Sequence, residues 1–256
     1  MNQHKVDAVR VHHEQAAEFD DRYRALERNP YDSTFTYGRS KIETIIDAEL
    51  AHLPAGARVL DAGCGTGFTV GRLRAQGLEV VGVEPAEEMR RRAIAANPSA
   101  EIVGGDIEAL PFPDGSFDAL VSIEVIRYLA DPSKALAECA RVLKPGGVAL
   151  ITAAPRWSLN GYALINVVTS RLRVPTFTHV KHSFMSARSA RRSMARAGFA
   201  STDVRGAFLG PWHVLQRFLP GVARAGMRAL EPVDDGLANR PLLRDLSNHL
   251  VLVGRR

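Results

Sequence analysis

The sequence predicts an α/β protein built on a doubly wound sheet. Three observations carry that prediction. An apolar strand around Val59 and Leu60 ends in Asp61 and runs straight into Gly63, Gly65 and Gly67. Further short apolar strands follow, with acids or Gly-rich turns at their ends. Segments of helical length separate most of them, which is the alternation that places parallel strands side by side with helices on both faces.

Taken in order, the first forty residues precede the sheet, and Phe19, Tyr23 and Leu26 fall at the i, i+4, i+7 spacing of a helix stripe. Residues 29–39 (NPYDSTFTYGR) read as an aromatic, turn-rich loop. Residues 40–53 read as a second helix, ended by Pro54-Ala55-Gly56. After the first strand and its glycine turn, a second apolar strand spans 78–83 and ends at Glu84. A third, Glu101 to Val103, leads into Gly104-Gly105-Asp106-Ile107, and a fourth covers Phe117 to Ser122. The turn Leu143-Lys144-Pro145-Gly146-Gly147 leads into a fifth at 148–152. Between this strand and a sixth at 201–209 lies an elaboration expected to make the substrate pocket. Trp157, Leu159, Tyr162, Ile165, Val168 and Leu172 form an apolar stripe there, bounded by Pro155 and Pro175, and a basic helix at 186–197 stops at Gly198. A last strand is expected at 249–254.

The glycine turn restricts the ligand. Without Cβ atoms, glycines let a strand-to-helix turn pass close to a bound molecule, and the following helix aims its first N–H groups into the same space. A dinucleotide fingerprint needs a glycine where Phe68 stands. A phosphate-cradling loop needs Gly-Lys-Ser/Thr, whereas residues 61–71 hold no base. Asp61 would repel a pyrophosphate and attract a cation. S-adenosylmethionine, with an ammonium, a sulfonium and no phosphate, satisfies both constraints. Glu84 stands at the interval where doubly wound folds place an acid on ribose hydroxyls, and Asp106 could accept an adenine amino group beside Ile107.

The segments VLDAGCGTGF, VVGVEPAEEM, GDIEALPFPDGSFDALVSIEV and LKPGGVALI, in this order, resemble the core of class I S-adenosylmethionine-dependent methyltransferases over residues 57–153. The resemblance implies a Rossmann-like seven-stranded sheet whose last strand is antiparallel, with helical lid and cap elements. It divides the single domain of 1–256 into an N-terminal helical lid (1–55), a cofactor-binding core (56–154), a substrate-cap insertion (155–200) and C-terminal strands and helices (201–256). It implies donor contacts from Asp61, Gly63, Cys64, Gly65, Gly67, Glu84, Pro85, Met89, Asp106, Ile107 and Ile123. Relatives often close a lid over the donor, and Tyr31, Tyr37 and Arg39 are the candidates for that contact. The region through Gly198-Phe199 is similar to quinone-type O-methyltransferases, in which a histidine after the fifth strand sits near the acceptor.

Composition bears on location and partners. The chain has 256 residues, 46% of them hydrophobic, and a formal charge of +5. It contains two cysteines, Cys64 and Cys139, and no apolar stretch as long as a membrane span. A cytoplasmic protein without disulfide or metal is expected. Residues 1–155 carry 17 Lys and Arg against 23 Asp and Glu, and residues 156–256 carry 16 against 5. An acidic half suits a cationic donor, while a basic half could meet an anionic substrate or peripheral membrane, or simply be solvated.

The chemistry expected is methyl transfer to a small or lipid-like intermediate, with oxygen as the expected attacking atom. A sulfonium is a good leaving group, so the protein must align the reactants and remove a proton from a hydroxyl acceptor. His179 is the first candidate base and His182 the second. Tyr128 could orient a hydroxyl and Arg127 an anionic group, where relatives carry a His pair or Glu-His. Base methylation of nucleic acid is disfavoured, because Ser122-Ile123-Glu124-Val125 replaces the Asn/Asp-Pro-Pro-Tyr/Phe of such enzymes, and no nucleic-acid partner is expected. A protein methyltransferase, a nicotinamide oxidoreductase and a non-catalytic donor-binding protein are the remaining alternatives.

Overall fold

The computed structural model describes residues 3–160 and 183–256. Two helices come first, α1 (Gln3–Arg28) and α2 (Thr34–Leu50). Then follow β1 (Arg58–Ala62), α3 (Phe68–Ala75), β2 (Glu79–Val83), α4 (Glu87–Ala96), β3 (Glu101–Val103) and β4 (Phe117–Ser122). The chain continues through a 3-10 turn (Ile126–Tyr128), α5 (Ser133–Val142), β5 (Leu143–Ala153), α6 (Ala187–Arg196) and β6 (Ser201–Gly206). It closes with α7 (Trp212–Phe218), α8 (Pro220–Ala238), a 3-10 turn (Arg244–Leu246) and β7 (Leu250–Arg255).

The seven strands form one sheet in the order β3-β2-β1-β4-β5-β7-β6. Pairings from β3 through β5 are parallel, and β7 runs antiparallel to both β5 and β6. This arrangement puts the start of β7 at the same edge as the carboxyl ends of β1, β4 and β5, because Ala153 pairs with Leu250. Alternation along the strands splits the core into two layers. Leu60 and Leu120 pack with α5 and α6 on one face, whereas Val59 and Val121 pack with Ile42 and Ile46 of α2, Leu73 of α3 and Met227 of α8 on the other. Asp61, two residues after Val59, therefore emerges on the α2 face.

Three expectations about boundaries are corrected. The second helix begins at Thr34 rather than residue 40, so the expected loop shrinks to residues 29–33 and Tyr37 and Arg39 lie on the helix. Ser33 accepts from the Thr36 backbone N–H and the Thr36 hydroxyl accepts from Ser33 N–H, a reciprocal cap that satisfies two of the helix's orphan donors. Strand β5 starts at Leu143, carrying the Pro-Gly-Gly turn inside an irregular pairing with β4. Trp157 and Leu159 lie in exposed turns rather than on a helix; the rest of that stripe, Tyr162 to Leu172, lies outside the described residues, as do His179 and His182.

Candidate functional site

The site is built on the carboxyl edge of the sheet. Gly63, Gly65 and Gly67 all adopt positive φ, at 86°, 56° and 85°. A side chain at Gly63 would run into Val125 Cγ2, whereas nothing lies within 4 Å of a Cβ placed on Gly65. The turn is thus tight on one side and open on the other. Gly63 and Cys64 N–H both donate to Val83 O, at 2.8 and 3.0 Å, tying the turn to the end of β2. Glu84 completes the tie: its two oxygens accept from Gly65 N–H (2.9 Å) and Ala86 N–H (2.8 Å). Burial raises its pKa, against the pull of those two N–H groups.

Asp61 is the electrostatic centre of the turn. It is buried, and its Oδ2 has no hydrogen-bond partner among the described residues. Burial pushes its pKa up to about 7, although Arg39 works in the opposite direction. A buried carboxylate oxygen without a donor is costly, and an incoming ammonium or N–H would satisfy it. These residues therefore fit the cationic donor that the glycine turn implied.

Helix α1 lies across this turn. Tyr23 stacks on Phe68, the first residue of α3, with centroids 4.6 Å apart and planes 5° from parallel. Arg39 sits over both rings, at 5.3 and 5.8 Å, and pairs with Glu43 at 2.6 Å while donating to the Thr69 hydroxyl. Phe68, whose presence argued against a dinucleotide, is thus the platform on which the N-terminal helix docks. Farther along α1, Lys5 pairs with Asp106 and, at 2.6 Å, with Glu108. Asp106 Oδ1 also caps Glu108 N–H at 2.9 Å.

Among the expected site residues, the structure gathers Asp61, Gly63, Gly65, Gly67, Glu84 and Arg39 around the turn. Pro85 follows Glu84 at the entrance to α4, and Ile123 follows the end of β4, buried. Ile107 is buried in the core beside β2 and β4. Met89 is buried against Ala16, with Val9 and Phe19 of α1 packed around it. The Cys64 side chain turns inward against Gly82, and burial holds its thiol well above the ordinary value. Tyr37 is not brought to the turn: it is fully buried beside Phe208, with its hydroxyl 3.4 Å from Asp234. Tyr31 bonds to Glu231. Tyr128 meets the edge of His12 at 5.0 Å. A groove of about 940 Å³ runs beside the turn between α1, α3 and α4, but neither Asp61 nor Glu84 lines it.

Sequence reasoning missed one cluster. Glu124, just past β4, lies with Thr152 at the end of β5 and His249 before β7. Glu124 Oε1 accepts from the Thr152 hydroxyl (3.1 Å) and is 3.1 Å from His249 Nδ1, while Oε2 pairs with Arg127. Glu124 is also the one non-glycine residue with positive φ, 62°, among those described. No local signal joins residues 125 positions apart.

The order of strands, the antiparallel β7 and the glycine turn define a class I, Rossmann-like methyltransferase fold. Residues 60–151 match the methyltransferase domain family, and this segment belongs to the S-adenosylmethionine-dependent methyltransferases. The chain is 35% identical over 135 residues to a demethylmenaquinone methyltransferase of Clavibacter sepedonicus, covering 52% of this chain and 54% of that one. It is 42% identical over 102 residues to a malonyl-[acyl-carrier protein] O-methyltransferase of Erwinia pyrifoliae, covering 40% and 39%. The chain thus spans about half or less of these relatives' length. A solved S-adenosylmethionine-dependent methyltransferase of Thermotoga maritima shares the fold across 95% of this chain and 97% of its own, with a TM-score of 0.62 and 22% identity.

Proposed function

We propose that the chain transfers the methyl group of S-adenosylmethionine to oxygen on a small or lipid-like biosynthetic intermediate. One observation supports this above the others: the buried Asp61 oxygen, without a partner among the described residues, at a turn of three positive-φ glycines. In this reading Asp61 and the turn hold the methionine end, Glu84 the ribose hydroxyls, and Asp106 with Ile107 the adenine. When bound, the donor supplies a methyl on a sulfonium, whose departure leaves a neutral thioether. The protein's part is to hold the acceptor in line and to take its proton. Oxygen as the attacking atom draws support from the O-methyltransferase relative.

Calorimetry with S-adenosylhomocysteine tests the reading. The unaltered chain should bind it, and Asp61→Asn should bind it more weakly; no binding by the unaltered chain would sink the proposal.

The basic half adds a partner to this reading, an anionic membrane surface in the cytoplasm. No helix among the described residues is long and apolar enough to cross a membrane. At the junction of α7 and α8, however, Phe218, Leu219 and Val222 are exposed beside Arg217 and Arg224, and no carboxylate occurs between Asp203 and Glu231. Apolar side chains flanked by arginines suit the edge of an anionic bilayer.

A further inference from the structure

The donor markers occupy only part of the sheet edge. From β3 through β2 to β1 the edge carries Asp106, Glu84 and then the Asp61–Gly67 turn. An acceptor must approach from the remaining part, formed by the ends of β4 and β5 and the start of β7. That part carries Glu124, Thr152 and His249, none of which belongs to the donor set.

The cluster adjoins the donor turn through Val125 and helix α2 through His249. Val125, next to Glu124, packs against Gly63. Gly38 of α2, next to Arg39, faces the imidazole: a Cβ there would lie 3.2 Å from His249 Nε2 and 2.9 Å from the Phe208 ring. Tyr23, which stacks over the turn, feels the charges of both Asp61 and Glu124. Glu124 keeps its unfavourable left-handed backbone because its surroundings hold it, with its N–H donating to Thr152 Oγ1 at 2.6 Å. Burial opposes its ionisation, but the Arg127 guanidinium and the hydrogen bonds from His249 and Arg127 work against that, and the carboxyl lies well below the usual carboxylate range. An ionised Glu124 accepts at His249 Nδ1, so the neutral imidazole carries its proton there and leaves Nε2 bare.

We propose that Glu124 and His249 form the proton-accepting pair for a hydroxyl acceptor, an inference that rests on the methyltransferase reading. His249 Nε2 takes the hydroxyl proton as the acceptor oxygen bonds to the methyl carbon. The carbon–sulfur electron pair stays on sulfur, giving S-adenosylhomocysteine and a methyl ether or ester. The imidazolium, stabilised by Glu124, then releases its proton to water.

Sinefungin tests the placement without knowledge of the acceptor, because it carries an amine on carbon where the donor carries its methyl on sulfur. Calorimetry should show Glu124→Gln and His249→Asn losing about tenfold in sinefungin affinity, the scale of a charge-assisted hydrogen bond. Both should keep S-adenosylhomocysteine affinity within about twofold, a bound well below one such bond. Long-range nitrogen spectra of ¹⁵N-histidine-labelled protein should also show His249 protonated at Nδ1, and Glu124→Gln should weaken that preference. Unchanged sinefungin affinity in both variants, or a proton on Nε2 in the unaltered chain, would overturn the pair while leaving the donor site intact. Failure of the unaltered chain to bind S-adenosylhomocysteine would instead remove the methyltransferase reading and the pair with it.

Discussion

The two parts of the sheet edge are made differently. The donor part is a local construction: β1, the glycine turn, β2 and Glu84 span 27 residues, and most of their contacts are backbone hydrogen bonds. The acceptor part draws Glu124, Thr152 and His249 from three strand ends and places side chains, rather than backbone, at the edge. Backbone geometry suits a ligand that never changes. Side chains brought in from distant segments can be exchanged one at a time, which suits the partner that differs among relatives.

The largest predicted effect tests how rigid the donor part is. Gly63→Ala forces a side chain into a left-handed backbone and against Val125, and should cost about 2–4 kcal/mol in denaturant unfolding. An unchanged midpoint would show that the turn can relax, and the contrast between the two parts would fail.

Next comes Glu84→Ala. It removes the carboxylate that accepts from Gly65 and Ala86, and should weaken S-adenosylhomocysteine binding by about 1–3 kcal/mol. A loss for Glu84→Gln as large as that for Glu84→Ala would assign the contact to charge, whereas a much smaller loss for Glu84→Gln would mean that hydrogen-bonding shape carries it.

Asp61 gives a pH-dependent test. Its pKa in the folded chain is about 7, above the ordinary 3.8, so the folded state holds an extra proton between those values. Its contribution to stability therefore falls as pH rises through that window. A cationic ligand favours the ionised form, so donor affinity should rise over the same window. Melting curves at pH 5 and 8 should show the unaltered chain losing more stability on going to pH 8 than Asp61→Asn does, and an equal loss would refute the assignment.

Legibility in the sequence followed the same division. Strands β3 and β4 and the glycine turn were readable because apolar runs ending in acids or glycines are local signals. The start of α2 was not. Residues 31–39 carry three aromatics and a glycine, a poor helix by propensity, and packing of Tyr37, Ile42 and Ile46 against the sheet overrides it. The available signal was the Ser33–Thr36 cap, with a threonine where a glutamate is usual. Tyr37 was misplaced for the same reason, since a residue expected on a loop over the donor instead faces Asp234 from a helix. The Lys5–Asp106 and Glu124–His249 pairs join residues 101 and 125 apart, and only the folded topology brings them together.

The smallest effect concerns the exposed junction of α7 and α8. If α7 and α8 rest on an anionic bilayer, the chain should float with phosphatidylglycerol-containing vesicles and not with pure phosphatidylcholine, and salt should release it. Arg217→Gln should then lower vesicle partitioning by about 1 kcal/mol, roughly fivefold, the share of one basic residue near such a surface. S-adenosylhomocysteine affinity should stay unchanged, because Arg217 is exposed on α7 and, among the described residues, makes no hydrogen bond or ion pair with the donor turn. Equal flotation with neutral and anionic vesicles would assign binding to the apolar tip of Phe218 and Leu219 alone. No flotation with either would leave the arginine-rich half as a solvated surface, and the difference between the two parts would then end at the side chains of the acceptor edge.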